Sequence, residues 1–359
     1  MVKQSGRKKA SLAAAYSDSE ASAKLAGLRY ISREMPGIRR IREADGFGYV
    51  NAKEEKISDT EMLIRIKSLG IPPAWEHVWI SPWANSHLQA TGLDSKGRKQ
   101  YRYHPEWSKI RGLSKFDRML MFGEKLPSIR EKVREHLQLR GLPREKVLAV
   151  IVELLDKTFL RIGNLEYEKE NRTYGLTTLR NRHVKIEKHE IQFKFKAKSG
   201  KESEISIEDR LLARIVKKCK EIPGYHLFSY IGDDGVPRDI SSHDVNEYLK
   251  QLSGESFTAK DFRTWGGTLS ALEALKGYME EDRGESSIKK TINSCIRMVA
   301  EKLKNTVNVC RKYYIHPKVF EIYMNGKLDA ILKNPGGETG DTLYSADELL
   351  VLQILKNTA

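Results

Sequence analysis

The chain has little cysteine, and its three residues in 359, Cys219, Cys295 and Cys310, are odd in number and widely spaced. That excludes a disulfide framework and a Cys-x-x-Cys metal site, and leaves them as small packing residues. There is no Gly-x-x-x-x-Gly-Lys-Ser/Thr loop, no His-Glu-x-x-His pair and no Gly-x-Gly-x-x-Gly turn between a strand and a helix. Any chemistry is therefore expected to run without a bound nucleotide and without a metal or other cofactor. No apolar run approaches the roughly 18 to 20 residues that span a bilayer, and no signal-peptide pattern is evident, so the chain reads as soluble and intracellular with no membrane partner.

What the chain has in excess is positive charge. Lys and Arg number 63 against 48 Asp and Glu, a formal net charge of +15. Such a surface attracts polyanions and makes affinity fall steeply with salt, which puts nucleic acid first among partners. The length and the 40% hydrophobic fraction suit two folded domains.

Residues 1–25 read as a flexible basic tail carrying Arg7, Lys8 and Lys9, which adds non-specific electrostatic affinity. Residues 26–112 alternate short apolar runs with turn signals and predict a small β-rich domain with one helix at 59–68, capped by Ser58 or Asp59. Within it, Asp94-Ser95-Lys96-Gly97 reads as a turn leading into a strand, Gln100-Tyr101-Arg102-Tyr103. Strand alternation puts Tyr101 and Tyr103 on one face and Gln100 and Arg102 on the other. Flanked by Lys96, Arg98 and Lys99, these groups suit DNA bases and phosphates; the bland alternative is a solvated turn with two core tyrosines.

A boundary is expected near 107–114, where apolar density drops and Gly112 interrupts, so that 113–359 forms a larger, mainly helical domain with a small sheet. Helices are predicted at 128–139 and 143–160, the second ended by Gly163, which puts Arg161 in its last turn. A β segment follows at 173–179 and 183–186, then a hairpin in which Ile191, Phe193, Phe195 and Ala197 face one way and Gln192, Lys194, Lys196 and Lys198 the other. Lys198 is thus at a hairpin tip on a cationic stripe. Helices are predicted at 208–219, 243–252, 269–280 and 287–303, then a loop at 336–340 and a terminal helix with a Ser345/Glu348 capping box.

The stretch 305–317 carries Asn305, Arg311, Lys312, the pair Tyr313-Tyr314 and then Ile315-His316-Pro317. A phenol near Arg and Lys can attack phosphorus, because positive charge favours phenolate and phosphate alike. Alone, the pair reads equally as packing on a half-buried helix. Taken in order, Lys96–Tyr103, Phe159-Leu160-Arg161-Ile162-Gly163-Asn164, Tyr174–Leu179 with the hairpin lysine, Asp261-Phe262-Arg263-Thr264-Trp265-Gly266 and Tyr314-Ile315-His316-Pro317 resemble the small type IB DNA topoisomerases of bacteria and large DNA viruses. The resemblance runs from about Gly27 to the C-terminus.

It implies an α+β fold, a β-rich N-terminal domain plus a helical catalytic domain of the tyrosine recombinase and topoisomerase IB type, closing as a clamp around DNA. It also implies Tyr314 as nucleophile, Arg161 and Arg263 as clamps on the non-bridging oxygens, Lys198 as general acid and Asn305 as a phosphate donor. Lys96, Arg98, Gln100, Tyr101 and Tyr103 are implied as DNA contacts, no metal is implied, and double-stranded DNA is the substrate of a monomer. Its place would be the bacterial cytoplasm with the nucleoid, or the virion or host cytoplasm for a virus. Many relatives have histidine where this chain has Asn305, and an amide donates a hydrogen bond without supplying charge, which weakens transition-state stabilisation. A tyrosine recombinase shares the Arg, Lys, Arg, Tyr set but usually has His where this chain has Lys260. A non-enzymatic DNA-organising protein would share only the charge.

Overall fold

Alternation bounded by turn residues makes the first unit a sheet. The computed structural model describes residues 19–32, 34–278, 284–333 and 343–356, with backbone alone at 111–117 and 199. Two units divide between Arg118 and Met119. In the first, α1 (Ser19–Leu25) precedes β1 (Ile38–Glu43), β2 (Gly46–Val50), α2 (Thr60–Ser68), β3 (Glu76–Ile80), β4 (Leu88–Leu93) and β5 (Lys99–Tyr103). The strands pair antiparallel in the order β2-β1-β3-β4-β5, which leaves β5 at an edge. Ile38, Ile66, Val78, Ile80 and Ala90 form the core beneath α2. Asp59 caps α2 by accepting from the Met62 amide at 2.7 Å. Residues 19–25, expected within a flexible tail, are helical, with Ser22 and Ala23 buried; the rest of the expected tail, and the loop at 336–340, lie outside the described residues.

Next, α3 (Pro105–Leu137) starts well before the expected helix at 128 and runs through the expected boundary at 107–114; the division of the units falls within it. Pro105 suits a helix start because the first turn needs no amide donor there.

The second unit is built on α8 (Ala259–Lys276), whose buried residues run from Phe262 to Leu275 almost without a break. Before it come α4 (Arg144–Thr158), α5 (Leu165–Asn171), the three-stranded sheet β6 (Val184–Glu187), β7 (Glu190–Lys196) and β8 (Glu202–Glu208), then α6 (Arg210–Cys219), the ribbon β9 (Ser229–Ile231) and β10 (Pro237–Asp239), and α7 (Ser242–Ser253). After it come α9 (Glu285–Lys302), α10 (Val307–Tyr313), α11 (Pro317–Met324), α12 (Leu328–Lys333) and α13 (Ala346–Lys356). Helices α4, α7, α9, α11 and α13 pack on α8. Phe122 of α3 meets Phe257 and Phe262 edge-on at centroid distances of 5.3 and 4.9 Å.

One ionic knot fastens the last helix. Arg130 donates to Asp156 at 2.7 Å and to Glu348 at 2.7 Å, and the indole of Trp265 donates to Glu348 at 3.0 Å. The arginine holds the Glu348 carboxyl below its usual range against the opposing effect of burial. The same glutamate completes the expected capping box, accepting from the Ser345 amide at 2.8 Å while the Ser345 hydroxyl accepts from the Glu348 amide at 3.2 Å. Among the described residues no helix is long and apolar enough to cross a membrane.

Candidate active site

Arg161 is positioned by backbone. Helix α4 is capped at Phe159, which adopts a left-handed conformation (φ 54°), so Arg161 lies in a non-helical segment beyond it and not, as expected, in a helix ended by Gly163. The Arg161 carbonyl accepts from the Leu176 amide at 2.9 Å, and the Ile162 carbonyl from the Thr177 amide at 2.7 Å. A Cβ at Gly175 would lie 2.5 Å from the Gly163 nitrogen and 2.6 Å from the Arg161 oxygen, so only glycine permits this clasp. The partner segment, expected as a strand at 173–179, is instead a 3₁₀ turn, Leu176–Thr178. Pairing with the arginine segment replaces a ladder.

Arg263 is buried, 5% exposed, one turn into α8. The helix starts ten residues earlier than expected, with the Asp261 carboxylate accepting from the Thr258 amide at 2.7 Å and from its hydroxyl at 2.9 Å. Thr258 and Asp261 therefore form the N-terminal signal that the sequence reading missed. Arg263 donates to the Phe159 carbonyl and, at 2.8 Å, to the Leu303 carbonyl. Two of its five donors are used this way, and its Nε is buried with no protein partner. Burial pulls its pKa down. For Arg161, burial and then the charge of Arg263 bring it to about 10.

The same face of α8 seats the tyrosine. A Cβ at Gly267 would stand 2.4 Å from the Tyr314 carbonyl oxygen, and the Thr268 hydroxyl accepts from the His316 amide at 3.0 Å. Tyr314 follows α10 as its C-cap, half-buried, with the Arg263 guanidinium carbon 5.2 Å from its ring centroid. Tyr313 is 43% exposed, beneath the Lys312 ammonium. Neighbouring helical residues point about 100° apart, so only one of the pair can enter the site.

Asn305 precedes α10. Its Oδ1 accepts from Arg161 at 2.5 Å, and Arg161 also donates to the Lys304 carbonyl at 3.2 Å. With its oxygen held, the Asn305 amide nitrogen is buried and has no partner in the protein. Lys198 is at the expected tip, in a 3₁₀ turn Lys198–Gly200 between β7 and β8, exposed, with its ammonium 5.4 Å from the Tyr167 ring centroid. The expected cationic stripe is partly neutralised: Lys194 pairs with Glu204 at 3.4 Å, and Lys196 stands opposite Glu202. Arg161, Lys198, Lys260, Arg263 and Tyr314 line one cleft of about 240 Å³, and among the described residues no carboxylate lines it. Lys260, which the sequence marks only as a difference from the recombinases, is also in its wall, as is Tyr167, for which the sequence gives no signal.

The other candidate contacts lie in the first unit. Asp94 closes the turn by accepting from the Lys96 and Arg98 amides at 2.9 and 3.0 Å. Its carboxylate also takes the Arg98 guanidinium and the Gln100 amide, each at 2.9 Å. The Arg98 side chain, then its backbone and that of Lys96, lower the Asp94 pKa to about 2. Tyr101 and Tyr103 are not core residues: they are 44% and 45% exposed and stack at 5.8 Å. Lys96 is exposed, and Arg102 turns away to donate to the Gly70 carbonyl at 2.7 Å.

Residues 105–333 match the family model described as "Eukaryotic DNA topoisomerase I, catalytic core", and residues 46–94 the one described as "Bacterial DNA topoisomerase IB, N-terminal domain". The chain is 32% identical over 298 residues to DNA topoisomerase 1B of Acanthamoeba polyphaga mimivirus, covering 81% of this chain and 88% of that protein. It is 26% identical over 267 residues to DNA topoisomerase I of Monkeypox virus, covering 72% and 79%. To DNA topoisomerase 1 of Drosophila melanogaster it is 25% identical over 201 residues, 53% of this chain and 19% of that protein. With the family model spanning most of the chain and the viral relative matched over nearly its whole length, this chain belongs to the type IB DNA topoisomerases, enzymes of the isomerase class.

Proposed function

We propose that the protein relaxes supercoiled double-stranded DNA as a monomer, without ATP or metal, through a transient 3′-phosphotyrosyl link to Tyr314. The observation that carries this reading is the pair of buried, unpartnered donors, Arg263 Nε on a residue that lines the cleft with Tyr314, and Asn305 Nδ2 on a residue that lies outside the cleft lining and is bonded to Arg161 of the cleft. Buried donors without acceptors are costly, and a non-bridging phosphate oxygen is the acceptor that would satisfy them.

In the forward step the Tyr314 Oη attacks phosphorus, the P–O5′ bond breaks and its electron pair goes to the 5′ oxygen. Lys198 gives that oxygen a proton, and the phenol proton passes to water, so charge and protons balance. Arg161 and Arg263 stabilise the charge that grows on the two non-bridging oxygens, with the donors left after their backbone bonds. Their fixed carbonyl partners mean little reorganisation at the moment of reaction. Asn305 adds a neutral donor. Because the phosphotyrosyl bond keeps the energy of the broken one, the 5′ hydroxyl attacks in reverse to rejoin the strand, and rotation in between removes supercoils. Lys96, Arg98, Gln100, Tyr101 and Tyr103 contact the duplex. The protein works where its DNA is, at the nucleoid of a bacterial cytoplasm or in a virion or host cytoplasm.

Incubation with supercoiled plasmid in EDTA without ATP tests this. Relaxation with a covalent protein–DNA adduct is expected; binding without relaxation would leave only a DNA-organising role.

A further inference from the structure

Lys201 is a lysine that the chemistry above does not use. Its ammonium donates to the Asn305 backbone carbonyl at 3.0 Å. It lies three residues from Lys198 across a turn that is closed twice: the Ala197 amide donates to the Lys201 carbonyl at 2.7 Å, and the Gly200 amide to the Ala197 carbonyl at 3.0 Å. Gly200 takes φ +76°, as such a turn requires. Lys198 and Lys201 are thus held in a fixed relation to each other. The strand that enters the tip is anchored as well, since the Tyr174 amide donates to the Lys196 carbonyl at 2.8 Å beside the Arg161 clasp.

The loop that Lys201 reaches is held by cations throughout: the Leu303 carbonyl by Arg263, the Lys304 carbonyl by Arg161 and the Asn305 carbonyl by Lys201. The first two are buried or half-buried and belong to the phosphate site. Lys201 alone among these three comes from the hairpin. It also lies close enough to the buried Cys310 thiol for its charge to act on it, as do Arg161 and Arg263. Its fixed carbonyl partner separates it from an ordinary solvated surface lysine.

We infer that Lys201 is a positioning residue, a latch that fastens the hairpin tip to the Asn305 loop and so sets where Lys198 stands relative to the phosphate. It acts through Lys198 and has no contact with the reacting atoms. The inference rests on the reading of Lys198 as the proton donor to the 5′ oxygen. General-acid catalysis is sensitive to placement, and an error of about 1 Å can remove on the order of 10² in rate. Because the bond to Asn305 is exposed, its loss is expected to change the placement of the tip and leave the fold intact.

The test is single-turnover cleavage of a duplex with a mapped cleavage site, made once with the ordinary 5′ bridging oxygen and once with sulfur there. Sulfur leaves without protonation, so the second substrate bypasses Lys198. Lys201→Ala is expected to slow the oxygen substrate about 10- to 100-fold and to cleave the sulfur substrate within about twofold of the parent enzyme. Lys201→Arg, which keeps a donor of similar reach, should recover most of the rate. Equal slowing on both substrates, together with a salt dependence of binding reduced by about one phosphate, would make Lys201 a DNA contact and overturn the latch; so would an unchanged oxygen rate. Lys198→Ala, measured in parallel, separates the two ideas. If sulfur fails to rescue it, the general-acid reading falls; if sulfur rescues it while Lys201→Ala is slowed equally on both substrates, only the latch falls.

Discussion

The edge strand β5 and the cleft at Tyr314 use the same residue types, tyrosine beside cations, to opposite ends. On β5 the two tyrosines are nearly half exposed and stack on each other, and the turn beside them is held by exposed Asp94 contacts. In the cleft, Arg263 is buried, both arginines are fastened to backbone carbonyls, and Tyr314 is seated against a glycine. Exposed charges act in water, are screened by salt and are each weak. Desolvated, pinned charges act at full strength on one geometry and tolerate little error. Under the proposed function the strand serves affinity and the cleft serves rate, and substitutions can separate the two.

The largest separation comes from the tyrosines themselves. Tyr314→Phe is expected to abolish the covalent DNA adduct while leaving plasmid binding intact, and Tyr313→Phe to retain the adduct, both scored by denaturing gels. An adduct surviving in Tyr314→Phe and lost in Tyr313→Phe would reverse the assignment. Next is Gly267→Ala, whose Cβ would meet the Tyr314 carbonyl at 2.4 Å. That contact is with backbone, so the Tyr314 segment has to shift, and cleavage should fall by about 10²-fold with DNA affinity preserved. A normal cleavage rate would show that the cleft tolerates displacement and would blur the contrast with the strand.

A smaller effect of the other kind is expected at β5. Tyr101→Ala combined with Tyr103→Ala should weaken binding by about 1 to 3 kcal/mol, read as a shift in the DNA titration midpoint, while the cleavage rate at saturating DNA holds. A lowered saturating rate would mean that the strand takes part in the chemical step. The smallest effect concerns Asp94, whose folded pKa of about 2 lies below its usual 3.8. The sign is that of a depressed carboxylate: the turn gains stability that is complete above about 3.8 and disappears as pH falls through about 2. Carbon-13 titration should find Asp94 protonating near that lower value, and Arg98→Ala should raise it; an Asp94 that titrates with the other carboxylates would remove Arg98 as the cause.

Local chemistry carried much of this into the sequence. Asp59 as a cap, the Ser345/Glu348 box, and the buried face of Ile191, Phe193, Phe195 and Ala197 all appear where residue type and periodicity put them. The termination of α4 did not. Gly163 looked like the natural end, yet the chain turns left-handed at Phe159, a non-glycine residue whose conformation is supported from outside: its carbonyl takes Arg263, and its ring lies over Gly266, where a Cβ would come within 2.4 Å. The 3₁₀ turn at Leu176–Thr178 has the residue pattern of a strand, but its partner is the Arg161 segment, which no periodicity reveals. The early start of α8 is different, since Thr258 and Asp261 form a box that residue type and spacing alone make legible.

By itself the sequence determined most of the helices and strands, the hairpin that carries Lys198, and the inventory of cations and phenols, because those follow from spacing over a few residues. The resemblance at Tyr314-Ile315-His316-Pro317 already pointed to Tyr314; only the tertiary structure decided that Tyr314 lines the same cleft as Arg161 and Arg263, that the Asn305 amide nitrogen has no partner in the protein, and that Lys201 reaches its loop. The reason is separation along the chain: Arg263 reaches Phe159 across 104 residues and Arg161 reaches Asn305 across 144. Contacts at that range are fixed by packing around α8, where small residues let backbones meet and buried polar groups must find partners.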